Sequence, residues 1–184
     1  MNVEELVRLE EAGALPELLL FWGHRPPEGG GAGPGCLSQW YPAPFTADGM
    51  RYATAEHYMM AGKARLFGDA EAERLVLASD DPGKAKGAGR KVRGFDDDTW
   101  AAHRYGLVVA ANTAKFTRHR PLRDYLLATG ERVLVEASPY DTIWGIGLSA
   151  KQPEARHPAR WRGLNLLGFA LMEVRRNLAT LQDA

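Results

Sequence analysis

The densest group of residues able to do chemistry lies in Thr54-Ala55-Glu56-His57-Tyr58-Met59-Met60-Ala61-Gly62-Lys63. On a helix, Glu56 and Lys63 stand two turns apart on one face, with Met59 or Met60 between them. A carboxylate and an amine projected from one face suit acid–base or nucleophilic work. The structural alternative is a first-turn Glu favoured by the helix dipole and a solvated Lys. A second group is Glu136-Ala137-Ser138-Pro139-Tyr140-Asp141-Thr142-Ile143-Trp144-Gly145-Ile146-Gly147. It sets two carboxylates and an indole between short β-like runs, with glycines that permit close backbone approach. Trp144 can stack on a heterocyclic base while a neighbouring carboxylate activates water or stabilises a cationic sugar. The structural alternative has Asp141 forming a turn and Trp144 filling the core.

Basic residues make a third group. Lys84, Lys86, Arg90, Lys91 and Arg93 cluster in one short stretch, and Lys115 falls in a long helical pattern. Arg90, following Gly89, offers a forked guanidinium to a phosphate; a run of surface Lys and Arg otherwise reads as a solvated face. His24 and His57 are equally compatible with structural roles. Gly145-Ile146-Gly147-Leu148-Ser149-Ala150 matches a relaxed dinucleotide fingerprint by letters, but Lys151-Gln152-Pro153 follows where a helix is needed. No glycine run ends in Gly-Lys-Ser/Thr, and no serine sits in a nucleophile elbow.

These residues need elements to hold them. Residues 3–20 read as an amphipathic helix broken near Gly13 or Pro16. Arg25–Gly35 is mostly Pro and Gly, a surface loop. Leu37–Phe45, with Pro42 and Pro44, is expected to be extended or at an edge. Asp48-Gly49 marks a hairpin turn with Met50–Tyr52 returning. Thr54 caps a helix to about Phe67, a second fits Ala70–Ala78, and Asp81-Pro82 opens a third ending at Gly87–Gly89. A long helix spans Trp100 to about Thr117, and Pro121 begins another that Gly130 ends. Val133–Glu136 reads as a strand and Ile143–Ile146 as another. Residues 149–162 form a loop, and Leu164–Leu181 is an amphipathic helix. The fold class expected is mainly α, or α+β with minor strands: a compact bundle of short helices in one domain over residues 1–184.

With 184 residues the chain can bury a pocket-forming core. Its 23 basic and 23 acidic side chains cancel, which disfavours non-specific nucleic-acid binding but leaves a local anionic site open. Cys36 is the single cysteine, so neither an internal disulfide nor a thiolate metal cluster can form. The histidines are scattered, and no metal or cofactor is expected. The N-terminus is acidic and Leu18–Trp22 is too short to span a bilayer, so a cytoplasmic protein without membrane association is expected. The sequence carries no signal of oligomeric state.

Taken in order, several segments together resemble the NADAR (YbiA-like) family. They are Leu37-Ser38-Gln39-Trp40-Tyr41-Pro42-Ala43-Pro44-Phe45; Thr54-Ala55-Glu56-His57-Tyr58 with Lys63; Gly89-Arg90; Asn112-Thr113-Ala114-Lys115-Phe116; Leu134–Asp141; Trp144-Gly145-Ile146-Gly147; and Gly163-Leu164-Asn165-Leu166-Leu167-Gly168. The resemblance covers about Phe21 to Leu178, with 1–20 as an N-terminal helix outside it. It implies a mainly helical YbiA-like fold and cleavage of an N-glycosidic bond next to a phosphate. One branch of the family resembles hydrolases of phosphoribosyl-amino-pyrimidine intermediates of riboflavin synthesis. Another resembles glycohydrolases that remove ADP-ribose from guanine. By motif position, Glu56, Asp141 and Trp144 are implied in catalysis, followed by Lys63. Substrate contacts are expected from Trp40, His57, Arg90, Lys115, Phe116 and Asn165. The expected partner is a small nucleotide-like substrate, with ADP-ribosylated nucleic acid as the alternative. A non-catalytic sensor of ADP-ribose or a riboflavin intermediate is the rival from another class. Two departures bear on the leaving group: Met59–Gly62 stand where the family has an aromatic or Gln, and a Gly-rich insertion occupies 28–35.

Overall fold

The structure is a computed structural model, described here over residues 1–180. Its eleven regular elements fall into two units, one of residues 1–38 and 124–180 and the other Gln39–Arg123.

In the first unit, α1 (Val3–Glu11) starts with a reciprocal capping box. The Glu5 N–H donates to Asn2 Oδ1 at 2.9 Å and the Asn2 N–H to Glu5 Oε2 at 3.1 Å. Leu6 is the buried anchor of this helix, and Glu10 pairs with His157 Nδ1 at 2.7 Å. The break expected near Gly13 or Pro16 falls at Gly13, with φ of 67°, but the helix expected up to residue 20 does not resume after it, and Leu18–Phe21 is strand β1. β1 pairs in parallel with β4 (Val133–Glu136), in the register Leu18↔Val133 to Phe21↔Glu136. Two apolar runs distant in sequence make a parallel pair, β4 largely buried and β1 half-buried, which helical periodicity in one of them cannot reveal. The closing helix α7 (Leu166–Thr180) buries Leu167, Leu171, Val174 and Leu178 and packs on β4. Leu164 lies before it and is exposed, while the expected end at Leu181 falls outside the described residues. Ile143–Ile146 is not a strand; it belongs to a hydrogen-bonded loop described below.

In the second unit, β2 (Phe45–Ala47) and β3 (Met50–Tyr52) form the expected hairpin. Asp48 and Gly49 both take positive φ, 51° and 74°, as a two-residue turn of the mirror-image type requires. The central element is α2 (Ala55–Leu66), packed against α3 (Ala70–Leu77), α4 (Pro82–Gly89) and α5 (Asp97–Arg118). Close approach is made by small residues. A side chain at Gly62 would strike Leu107, and one at Gly89 would overlap Met60. The Met-Met-Ala-Gly segment is thus a packing solution for helices that come near on several sides. Asp69 ties the corner by capping α3 through Ala72 N–H and holding Arg93 by backbone and guanidinium together. α5 begins at Asp97, three residues before the expected Trp100, because Asp96 caps it through Thr99 N–H at 2.8 Å. The chain leaves this unit within α6 (Arg120–Ala128). No helix of the described residues is long and apolar enough to cross a membrane.

Candidate functional site

In the second unit the site candidates gather at the head of α2. Thr54 precedes the helix in extended conformation, but its hydroxyl does not cap. It pairs instead with His57 Nδ1 at 2.8 Å, and His57 Nε2 lies 2.8 Å from the Ser79 carbonyl. A carbonyl only accepts, so Nε2 carries the proton and Nδ1 accepts from the hydroxyl. Burial pushes the imidazole below its ordinary pKa, which keeps this neutral tautomer. Both ring nitrogens are therefore engaged within the chain. Glu56 follows the cap, is only 3% exposed, and has its N–H bound to the Gln39 carbonyl at 3.0 Å. Asn112 on α5 is fully buried and donates to Gln39 Oε1 at 2.6 Å. Lys115, one helical turn on, is likewise fully buried, its ammonium 4.7 Å from the Phe116 ring centre. Phe116 itself is core.

At the far end of α2, the Lys63 ammonium lies 4.0 Å from the Phe95 ring centre and 5.4 Å from that of Trp100. Burial lowers its pKa, opposed by Asp97; the two aromatic faces also favour the charged form. Seven residues of helix put about 10 Å between the Cα levels of Glu56 and Lys63. The aromatic corner thus draws the amine toward the α5 N-terminus.

The basic cluster does not form a single anion site. Arg93 is paired with Asp69 at 2.7 Å, whereas Arg90 is exposed at the C-cap of α4. Lys86 sits 5.8 Å from the Trp40 ring centre, and Trp40 lies over Gly83. An indole and an ammonium are thus placed together on α4.

In the first unit the loop after β4 is wired by its own backbone. Asp141 Oδ1 accepts from the N–H groups of Ile143 at 2.9 Å and Trp144 at 2.7 Å, an Asx turn. The Asp141 carbonyl accepts from Gly147, and the Glu136 carbonyl from Ile146. Residues 162–167 strap the loop, with N–H groups of Leu164, Asn165 and Leu167 donating to the carbonyls of Thr142, Gly145 and Trp144. This turn chemistry displaces the expected strand at 143–146. Gly145 and Gly163 lie where any side chain would meet backbone. Asn165, fully buried and at φ of 52°, accepts from the Glu136 N–H at 3.0 Å and donates to the Leu134 carbonyl at 2.9 Å. Its amide is bound at both ends to β4. Asp141 and Trp144 are part-buried, and Tyr140 beside them is 89% exposed.

Two amides at the head of α2, Gln39 and Asn112, lie within the family-like motifs, but sequence spacing does not bring them together. The available signal was an amide at each of two otherwise buried positions. Among the described residues, no group of three or more His, Cys, Asp or Glu is placed to hold a metal ion.

The sequence profile of the NADAR domain matches residues 20–179. The chain belongs to the NADAR family. Among its NADAR relatives, a protein of Acanthamoeba polyphaga mimivirus named N-glycosidase is 41% identical over 78% of this chain and 88% of its own. A Vibrio vulnificus protein named for riboflavin biosynthesis is 31% identical over 78% of this chain and 35% of its own length. The NMR structure of Escherichia coli YbiA superposes with a TM-score of 0.73 at 28% identity, covering 91% of this chain and 88% of that one. The mainly helical, YbiA-like α+β fold is therefore shared, minor strands included.

Proposed function

We propose that the chain hydrolyses the ribosyl C1–N bond of phosphoribosylated amino-pyrimidine intermediates of riboflavin biosynthesis. It is an N-glycosidase, a hydrolase of N-glycosyl compounds, as its NADAR relatives are named. The observation that carries the reading is a carboxylate, Glu56, buried at the head of a helix that is itself enclosed on most sides.

Breaking the bond builds positive charge on the sugar, so a fixed carboxylate stabilises the transition state more than the ground state. Out of bulk water that interaction is stronger than in solvent. Glu56 takes this role or that of the base for water; Asp141, held by its Asx turn, is the alternative bearer of either role. In the first unit, the Trp144 indole offers a face on which a heterocyclic base can stack. Arg90, Lys115 and Trp40 serve the nucleotide's phosphate and ring. His57, Phe116 and Asn165 act through position, since their polar atoms or rings are engaged within the chain.

Lys63 offers a second route, favoured by its semi-buried amine and lowered pKa. The amine attacks C1 of the ring-opened sugar, and the base nitrogen leaves with a proton. Water then hydrolyses the resulting imine and returns the amine. Borohydride during turnover should then leave a sugar adduct on Lys63, and an unmodified Lys63 in active protein rejects this route.

The substrate is tested by mass-spectrometric turnover of a phosphoribosylamino-pyrimidine beside an ADP-ribosylated guanine nucleotide. Ribose 5-phosphate from the first alone is expected; the balanced net charge of the chain favours a small substrate. ADP-ribose from the second alone would keep the bond class and overturn the substrate. Silence on both, with ligand binding retained, would replace the enzyme by a nucleotide sensor.

A further inference from the structure

Pairing with Asp69 takes Arg93 out of the basic stretch on and after α4, and the other four cations stay unbalanced. All five carboxylates of residues 69–81 are already in use. Asp69 holds Arg93, Glu71 holds Arg74, Glu73 holds Arg65, Asp80 holds Arg51, and Asp81 caps α4. Lys84, Lys86, Arg90 and Lys91 have no ion pair among the described residues. Lys86 and Arg90 stand one turn apart on one face, the Arg90 N–H bonded to the Lys86 carbonyl at 3.0 Å. Like charges at that spacing repel, and here they do so in a chain of zero net charge. The Lys86 ammonium lies 5.8 Å from the Trp40 ring centre, and the ring edge lies 3.8 Å from where a Gly83 Cβ would stand. An indole thus restrains one cation of the pair. Trp40 and Lys86 are half-buried and Arg90 is exposed, so a solute can reach all three.

We propose that Lys86 joins Arg90 in holding the terminal 5′-phosphate of the nucleotide, with Trp40 keeping the Lys86 ammonium in place. The inference rests on the reading that the substrate is phosphoribosylated, and it adds Lys86 to the residues that meet it. A phosphomonoester carries about −1.5 to −2 charge at pH 7 and three acceptor oxygens. The Arg90 fork can take two of them and the Lys86 ammonium the third, each by a charge-assisted hydrogen bond. The bound dianion also removes the repulsion between the two cations. The aromatic face beside Lys86 restrains the ammonium without neutralising it, so its charge stays available to the ligand. Ribose or a free nucleoside offers only hydroxyls and leaves the repulsion standing. The site therefore selects phosphorylated over free nucleosides.

The test is calorimetric titration of the full chain with ribose 5-phosphate, and with ribose as the phosphate-free probe. Ribose 5-phosphate should bind at least about tenfold tighter than ribose. Lys86→Met should weaken it roughly 10- to 150-fold, the loss of a hydrogen bond between charged groups. Lys86→Arg, which keeps the charge, should recover most of that affinity. Arg118→Met removes an exposed cation of α5 instead and should leave ribose 5-phosphate binding within about twofold of wild type. In turnover, Lys86→Met should raise KM more than it lowers kcat, as loss of ground-state binding does. Ribose 5-phosphate binding no tighter than ribose, or not at all, overturns the proposal. So does a Lys86→Met protein with unaltered affinity, the outcome expected if Lys86 only offsets the α4 dipole. An equal loss in Arg118→Met, the mark of general charge attraction, overturns it too. Lys86-dependent binding without cleavage of an N-glycoside would overturn the hydrolase reading and leave this one standing; cleavage with a normal KM in Lys86→Met would do the reverse.

Discussion

In the loop of the first unit, polar side chains are taken up by backbone. Asp141 Oδ1 closes a turn, and Asn165 bonds both a donor and an acceptor flanking the end of β4. At the head of α2 in the second unit, buried polar side chains meet each other, and an amide oxygen and an amide nitrogen stay unmatched. The first arrangement holds a loop in one conformation, while the second keeps hydrogen-bonding capacity in a place closed to water. Substitution of Asn165 should therefore be read mainly as stability, and substitutions at the α2 head mainly as rate and binding.

The strongest attempt to break this contrast is Glu56→Gln. The amide is nearly isosteric, so the protein should remain folded while turnover falls by roughly two to four decades, the effect of losing a positioned acid or base. A near-normal rate in the folded variant would remove Glu56 from the chemistry. Next is Asn165→Leu, which orphans the Glu136 N–H and the Leu134 carbonyl. Two such groups at about 1–3 kcal/mol each predict a loss of roughly 2–6 kcal/mol in chemical denaturation. A rate that falls while stability holds would instead place Asn165 on the substrate.

Asp141→Asn separates the two roles within one residue. Asn keeps the Oδ1 acceptor and the turn, so the melting temperature should barely move. Loss of the charge should lower kcat about tenfold or more if the carboxylate serves the reaction; unchanged kcat would make Asp141 purely structural. The smallest effect concerns the scaffold of the second unit. Arg93, by side-chain and backbone hydrogen bonds, holds the Asp69 carboxyl well below the usual carboxylate range. A depressed folded pKa means this stabilisation is complete above the unfolded value near 3.8 and drains as pH falls below it. Melting curves below about pH 4 should decline more steeply for wild type than for Asp69→Asn, narrowing the gap between them. Parallel curves would show that the pair is not coupled to folding.

Most helices were legible because their starts are chemical: Asp81-Pro82, Asp96 and the apolar spacing of α7 mark ends or faces that local sequence specifies. The Asp48-Gly49 hairpin was readable for the same reason, since both positions need positive φ. β1 was not, because Leu18–Phe21 becomes a strand only when Val133–Glu136 lies beside it. Ile143–Ile146 failed in the opposite sense: its β-like letters yield to the Asp141 turn and the strap from residues 162–167. The types of the candidate catalytic residues, and the family they belong to, were determined by the sequence alone, because side-chain chemistry and ordered motifs are local properties. Which polar groups were already engaged was decided only by tertiary structure. Whether the amides of Asn165, Gln39 and Asn112 and the imidazole of His57 find partners depends on chain segments that sequence spacing does not bring together.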